Sequence, residues 1–299
     1  MKNKYKISFV IPVRNEEKTL PILVDKIAQE CRKCTKIADF EIVLVDDGSA
    51  DSSVNVMKKI KAEREFIKVI ILRKNYGKSL ALQAGFNIAS GDLVCTMDAD
   101  LQDDPAEIPN FIAKIEEGYD LVSGWKFNRL DPKEKCLASK VFNFVTSKAS
   151  GIKIHDFNCG FKLYRREVVE KLNMHSEMHR YLPVLASFYG YKCSEIKVHH
   201  QKREFGVSKY GYGRYLNGLF DFMVVMYLIR YADRPLYFFG KIALVCGVLG
   251  FLGMFFNFVC GIMLILSALF LLCFGLLAHI IALGFMQKKR VNDYVKERI

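Results

Sequence analysis

The sequence lacks the loops by which many folds cradle nucleotides. It has no Gly-x-Gly-x-x-Gly stretch and no Gly-x-x-x-x-Gly-Lys-Ser/Thr stretch, which argues against dehydrogenase and P-loop chemistry. Tryptophan occurs once, at Trp125. Cysteine occurs nine times, but only Cys31 and Cys34 stand as Cys-x-x-Cys and no second pair lies at zinc spacing. Scattered thiols of this kind fit a reducing compartment. Residues 1–8 hold three lysines, yet the apolar run behind them stops at Pro12-Val13-Arg14. That reads as a strand, not a signal peptide.

Charge is missing from one end. Between Leu236 and Met286 the only charged side chain is Lys241, apart from any charge on His279. A run of about 50 residues exceeds one bilayer span of roughly 20. A helical hairpin fits, over about 236–257 and 261–286, turning near Asn257-Phe258-Val259-Cys260-Gly261; a buried soluble hairpin is the weaker alternative. Arg230 and Arg234 precede the first span and Lys288-Lys289-Arg290 follow the second. Positive flanks on both sides place both ends of the hairpin in the cytoplasm. The formal net charge of +12 suits an anionic membrane surface and phosphate-bearing substrates. Nucleic acid explains it less well, because no basic-aromatic recognition module is visible.

What remains is a run of strands and helices. Strands are expected at 6–13, 41–45, 67–72 and from Leu93 to an end that delivers Asp98 and Asp100, with helices at 19–31, 52–63 and 79–90 between them. Strand and helix alternating at this spacing argue for a parallel, doubly wound sheet. Further along, 119–123 reads as a strand, 137–149 as a helix, 158–164 as extended, 177–189 as a helix and 192–198 as a strand. Residues 214–231 carry apolar side chains at helical spacing just before the first span, the pattern of an amphipathic helix in the membrane interface.

The chemistry concentrates at two strand ends. Asp46-Asp47-Gly48-Ser49-Ala50-Asp51 closes the second strand, and Asp98-Ala99-Asp100-Leu101-Gln102-Asp103-Asp104-Pro105 closes the fourth. In open α/β sheets ligands sit outside the carboxyl ends of the strands. Asp98 and Asp100, with the amide oxygen of Gln102, form a hard-oxygen set suited to Mg²⁺ or Mn²⁺ that also touches a diphosphate. An acidic turn capping the next helix would leave a similar trace. Cys159 reads as a packing residue. Asp156 is a candidate for orienting a basic site residue. His175 and His179, one turn apart on the expected helix, and His199-His200 read as polar surface.

The motifs Ile11-Pro12-Val13-Arg14-Asn15-Glu16, Val45 to Asp51, Asp98 to Pro105, Cys159-Gly160-Phe161-Lys162 and Phe205-Gly206-Val207-Ser208-Lys209-Tyr210 resemble inverting family 2 glycosyltransferases. The likeness is to the polyprenyl-phosphate branch, which includes dolichyl-phosphate mannose synthase and the undecaprenyl-phosphate glucosyltransferases. The resemblance implies a GT-A type, Rossmann-like, mostly parallel sheet over residues 1–212. An interfacial helix at 213–234, a transmembrane hairpin at 235–287 and a basic cytosolic tail at 288–299 would follow.

It also implies roles. Pro12, Arg14, Glu16, Leu44 and Asp46 would line the nucleoside pocket; relatives often carry Tyr where Arg14 stands. Asp98, Asp100 and Gln102 would hold the metal and diphosphate, with Ala99 contributing backbone. Lys126 falls where the synthases carry Arg, keeping the charge but losing the bidentate fork. Arg203 and Lys209 would hold phosphate groups and, with Asp100, form the catalytic set. Arg129, Lys140 and Ser208 are acceptor-phosphate candidates. The reaction implied is inverting transfer of one sugar from a nucleoside diphosphate, UDP favoured over GDP, to undecaprenyl or dolichyl phosphate. It would take place at the cytosolic leaflet of the plasma membrane, in a multi-pass protein with both termini cytoplasmic, and self-association is left open.

A lipid phosphate is already anionic near neutral pH, with a second ionisation near 6 by analogy with phosphomonoesters, so it needs charge screening more than a general base. Asp103 and Asp104 would be the candidate bases if the acceptor were a hydroxyl. A processive polysaccharide synthase is disfavoured, because with Trp125 as the only tryptophan there is no Gln-x-x-Arg-Trp segment. A hydroxyl-acceptor transferase and a non-catalytic membrane scaffold are the remaining alternatives.

Overall fold

The computed structural model describes residues 4–127, 133–172, 174, 178–199, 201, 222–227, 230–231 and 234–286; side chains 133–138, 141 and 282–286 lie outside that description. The chain divides into two compact units, residues 1–221 and 222–299.

The first unit is built on a seven-stranded sheet of order β3-β2-β1-β4-β6-β5-β7. The strands are β1 Tyr5–Val13, β2 Ile37–Asp46, β3 Ile67–Ile71, β4 Leu93–Thr96, β5 Leu121–Lys126, β6 Lys162–Arg165 and β7 Cys193–Val198. All run parallel except β6, which is antiparallel to both neighbours. The sheet is therefore mixed, where sequence spacing argued for a parallel one. The helices are α1 Leu20–Lys33, α2 Ser53–Glu63, α3 Lys78–Ile88, α4 Ile108–Glu116, α5 Lys133–Ser150, α6 Arg166–Lys171 and α7 Leu182–Phe188.

Strand β1 is apolar on both faces: Ile7, Phe9, Val10 and Ile11 are all fully buried, as expected of a central strand covered by helices on either side. Leu20, Leu23, Val24 and Ile27 on α1 pack on one face of the sheet, the spacing of an apolar helical stripe. At the opposite end from the site, Glu41 ties three strands together. Its Oε1 accepts hydrogen bonds from Ser8 Oγ at 2.6 Å and Ser90 N at 2.7 Å, and its Oε2 meets Lys68 Nζ at 2.7 Å.

Several expected elements shift. The strand expected at 119–123 lies at Leu121–Lys126, so it carries Trp125 and Lys126 within the sheet. Of the stretch read as extended, 158–164, only Lys162 to Tyr164 pair, in β6. The helix expected at 177–189 is a 3₁₀ turn, Met178–Tyr181, followed by α7. Pro183 sits in the first turn of α7, where its missing N–H costs little.

In the second unit, α8 Pro235–Gly253 and α9 Phe258–Met286 pack against each other. Both are long and apolar enough to cross a membrane, with mean hydropathy 1.9 and, over Phe258–Ile281, 2.7. Most of the region read as an interfacial helix, 214–231, lies outside the described residues; 222–227 are helical.

Candidate functional site

Strands β2, β1 and β4 lie side by side and end on one rim, which brings the two acidic motifs together. Asp46, paired with Val13 across the sheet, is buried, and its carboxylate accepts the N–H groups of Gly48 and Ser49 at 3.1 and 3.2 Å. Gly48 has φ +69°, and a Cβ there would lie 2.5 Å from Asn75 N, so the turn requires glycine. Asp47 turns the other way. It accepts N–H bonds from Tyr76 and Gly77 and a side-chain bond from Asn75, clamping the loop that enters α3.

The loop after β1 is laced to the loop after β2. Asn15, at φ +55°, receives Ala50 N on its side chain at 2.7 Å and gives its own N–H to Ser49 Oγ at 2.9 Å. Glu16 N donates to Ser53 Oγ, and Ser52 N donates to Glu17. Pro12 and Arg14 sit on this rim, Arg14 close enough to Asp47 to act on its carboxylate. Leu44 does not: it is fully buried in the apolar core.

The loop after β4 is strained at Leu101, which is buried at φ +62°. A branched side chain in the left-handed region marks a backbone held by its surroundings. The kink lies between Asp100 and Gln102 and lets Gln102 N bond back to Asp100 Oδ1 at 3.3 Å. Asp98 rests on Gly160: a Cβ there would come within 2.7 Å of three atoms of the carboxylate. Thr96 Oγ1 fixes that glycine by donating to its carbonyl at 2.7 Å. The Cys159-Gly160-Phe161-Lys162 segment is thus the floor under Asp98.

Two cations control the acidic loop. Lys78, the first residue of α3, is ion-paired with Asp98. Lys126 meets Asp103 at 2.9 Å. Burial alone would raise the Asp98 carboxyl, but Lys78 and Lys126 outweigh it and hold the group well below the usual carboxylate range. Burial would likewise lower the Lys126 ammonium, yet Asp103 foremost, with Asp98, keeps it above its ordinary value. Behind them Lys162 is buried and bonded to the carbonyls of Phe157 and Cys159. Burial pulls its ammonium down, against which the Asp156 and Asp98 charges act.

His179 corrects the sequence reading. Its ring Nδ1 lies 3.0 Å from Ser79 Oγ, and its N–H donates to the same oxygen at 3.1 Å. Burial first, then Lys78, Arg180 and Lys162, push the imidazole well below its usual value. It is a half-buried, neutral group that pins the start of α3 beside Lys78, not free polar surface. His199 is exposed and pairs with Glu107 at 2.9 Å. Cys159 is a buried thiol raised by burial to about 12, as a packing residue should be. Lys140 is exposed on α5. Arg129, Arg203, Ser208, Lys209, His175 and His200 lie outside the described residues.

Among the described residues no three His, Cys, Asp or Glu side chains gather as a metal cage. The donors present are the carboxylates of Asp98, held ionised, and Asp100. Two hard anionic donors suit a small divalent ion that takes its other oxygens from a substrate's phosphates.

The family model described as "Glycosyl transferase family 2" matches residues 8–173, which contain the whole rim from β1 to β6. The chain belongs to glycosyl transferase family 2. Among curated members, an undecaprenyl-phosphate 4-deoxy-4-formamido-L-arabinose transferase of Photorhabdus laumondii is 38% identical over 83% of this chain and 74% of its own length. A dodecaprenyl-phosphate galacturonate synthase of Rhizobium johnstonii is 32% identical over 98% of this chain and 92% of its own. These relatives match the polyprenyl-phosphate branch of the family.

Solved structures show the same GT-A fold. A Pyrobaculum calidifontis mannosyltransferase, in complex with GDP-mannose and Mn²⁺, superposes with TM-score 0.54 at 19% identity, over 75% of this chain and 63% of that one. A glucosyl-3-phosphoglycerate synthase from Mycobacterium tuberculosis, bound to Mn²⁺, UDP and phosphoglyceric acid, gives TM-score 0.58 at 16% identity, over 75% and 78%.

Proposed function

We propose that this glycosyltransferase moves a single sugar, with inversion, from a nucleoside diphosphate, UDP in preference to GDP, to a polyprenyl phosphate at the cytosolic leaflet. The observation that carries the choice of acceptor is the state of the two candidate bases. Asp103 is buried and held by Lys126. Asp104 accepts Ala106 N at 3.0 Å as the cap of the following helix and takes the Gln201 side chain at 3.3 Å. Neither is placed as a free base for a hydroxyl. A phosphate acceptor needs none, and the relatives named above act on polyprenyl phosphates.

In this reading the nucleoside lies against Pro12, Arg14, Glu16 and Asp46. The diphosphate faces Asp98, Ala99, Asp100 and Gln102 with Lys126 nearby. Mg²⁺ or Mn²⁺, held by Asp98 and Asp100 with Gln102, would offset the charge that develops on the leaving diphosphate. Lys78 and Lys126 keep the Asp98 carboxylate ionised and in place. Arg203 and Lys209 complete the cationic surround, with Asp100 as the third member of the catalytic set; Arg203 follows two residues after Gln201, whose N–H bonds to Gln102 O at 3.0 Å. Arg129, Lys140 and Ser208 receive the acceptor phosphate. Its oxygen attacks the anomeric carbon opposite the departing diphosphate, so configuration inverts.

The chain is assigned as catalytic over 1–212, interfacial over 213–234, membrane-spanning over 235–287 and a basic tail over 288–299. Both termini are cytoplasmic in a multi-pass plasma-membrane protein. The test is detergent-purified enzyme with undecaprenyl phosphate, Mg²⁺ or Mn²⁺ and a panel of UDP- and GDP-sugars, with the lipid product read by mass spectrometry. One UDP-sugar giving a glycosyl-phospholipid is the expected result. Nucleotide-sugar hydrolysis without lipid product would move the acceptor to a hydroxyl. No turnover and no nucleotide binding would make the chain a scaffold.

A further inference from the structure

The bonds of one serine fix the tautomer of His179. The His179 backbone N–H donates to Ser79 Oγ at 3.1 Å, and Nδ1 of the same ring lies 3.0 Å from that oxygen. Ser79 is buried, and among the described residues Nδ1 is the one acceptor for its hydroxyl hydrogen. An oxygen that already accepts one hydrogen bond thus gives its own hydrogen to Nδ1, and the ring hydrogen sits on Nε2. The surrounding charges agree. Lys78, Arg180 and Lys162 act against a second proton on the ring, with Asp98 opposing them.

Two bonds to a single oxygen leave the ring little freedom to turn. Its other edge is a neutral N–H that no described residue accepts, on a side chain that is half-buried and not enclosed. In this state the imidazole is neither a base nor a metal ligand, because Ser79 occupies the Nδ1 lone pair and Nε2 carries hydrogen. It can only donate.

Place decides what it donates to. Ser79 follows Lys78, whose ammonium is paired with Asp98. The turn Met178–Tyr181 follows β6 and α6, and β6 borders β4 on the side away from β1 and β2. In the proposed reaction the nucleoside lies against the ends of β1 and β2 and the diphosphate against Asp98. The transferred sugar, bonded to the far phosphate, comes next. Phosphate oxygens are matched by cations such as Lys78 and Lys126, whereas a neutral N–H matches an uncharged hydroxyl.

We propose that His179 Nε2–H donates to a hydroxyl group of the donor sugar, so that His179 helps to select which sugar is transferred. The inference rests on the proposed placement of the nucleotide sugar.

The test uses the full chain in detergent with Mg²⁺ and undecaprenyl phosphate. The donor is whichever of UDP-glucose, UDP-galactose, UDP-N-acetylglucosamine, UDP-glucuronate and GDP-mannose the wild type transfers best, together with its monodeoxy analogues. His179→Asn keeps a polar group at the Nδ1 position for Ser79 and loses the far N–H. His179→Gln carries an amide toward the Nε2 position. The asparagine variant should lose about tenfold in kcat/KM, the scale of one hydrogen bond, with binding of the free nucleoside diphosphate unchanged. Against the analogue that lacks the contacted hydroxyl, wild type and the asparagine variant should perform alike, and glutamine should recover part of the rate on the full sugar. An equal loss on every analogue, or weakened nucleoside diphosphate binding in step, would reduce His179 to a pin for α3 and overturn the proposal. Wild-type kinetics in the asparagine variant would overturn it as well. A wild type that transfers none of these sugars would instead refute the donor and acceptor reading, and the inference with it.

Discussion

Lys126 on β5 and Asp103 in the loop after β4 form a 2.9 Å ion pair in which the carboxylate is wholly buried and the ammonium nearly so. The pair joins the acidic loop to the neighbouring part of the sheet, and the Lys126 charge also reaches Asp98. Removing one partner of such a pair leaves an uncompensated buried charge, at a cost of about 3–5 kcal/mol.

Lys126→Met should therefore lower the thermal unfolding midpoint of the detergent-solubilised protein. Asp103→Asn in the same chain should restore most of that loss, because the stranded charge is gone. Sugar transfer should stay low in the double variant, since the cation acting on Asp98 is still missing. Recovery of both stability and transfer would limit Lys126 to a structural role.

Lys78 is ion-paired with Asp98, and in the proposed reaction it would compete with the divalent ion for that carboxylate. Lys78→Met should lower the metal concentration needed for half-maximal turnover several-fold, since one unit charge a few ångströms away contributes on the order of 1–4 kcal/mol at effective dielectrics between water and a protein surface. Maximal turnover should fall. A metal titration of the transfer reaction reads both effects. An unchanged midpoint would separate Lys78 from the ion.

Gly160→Ala places a methyl within 2.7 Å of the Asp98 carboxylate, which must move. Loss of turnover with a retained circular-dichroism spectrum is expected, and the apparent affinity for nucleotide sugar should weaken with it. Wild-type kinetics in this variant would show that Asp98 has room to shift without consequence.

Glu41 sets an acid limit on the sheet. Burial would raise its carboxyl, but Lys68, Ser8 and Ser90 bring it from 4.5 down to about 2. A carboxyl depressed on folding contributes stability in full above its unfolded value and loses it as pH falls through the folded one. Glu41→Gln should reduce stability at neutral pH by about 1–3 kcal/mol through its lost buried hydrogen bonds. The gap to wild type should close between about pH 4.5 and pH 2. Unfolding midpoints across that range check it.

The strand and helix order, the two acidic strand ends and the paired apolar helices were readable because each rests on local pattern. Strand β6 was not, since four residues carry no sign of direction and only the pairing of Leu163 with Cys95 and Val122 makes it antiparallel. His179 looked like surface because helical spacing put it beside His175. Its partner Ser79 is 100 residues away, a separation no periodicity reports. Lys78 carries no signal in the sequence for the same reason: its meaning comes from Asp98, which only the folded chain brings to it. The segment 202–221, which holds Arg203, Ser208 and Lys209, is legible as a motif only, being outside the described residues.

In the proposed reaction an anionic acceptor attacks the anomeric carbon without help from a protein base. This is tested most directly by offering the enzyme undecaprenyl phosphate and undecaprenol side by side, with the same labelled nucleotide sugar and metal. Labelled lipid should form from the phosphate alone, and mild acid should release the sugar from it, as a glycosyl phosphate requires. Equal or preferred transfer to the alcohol would contradict the account.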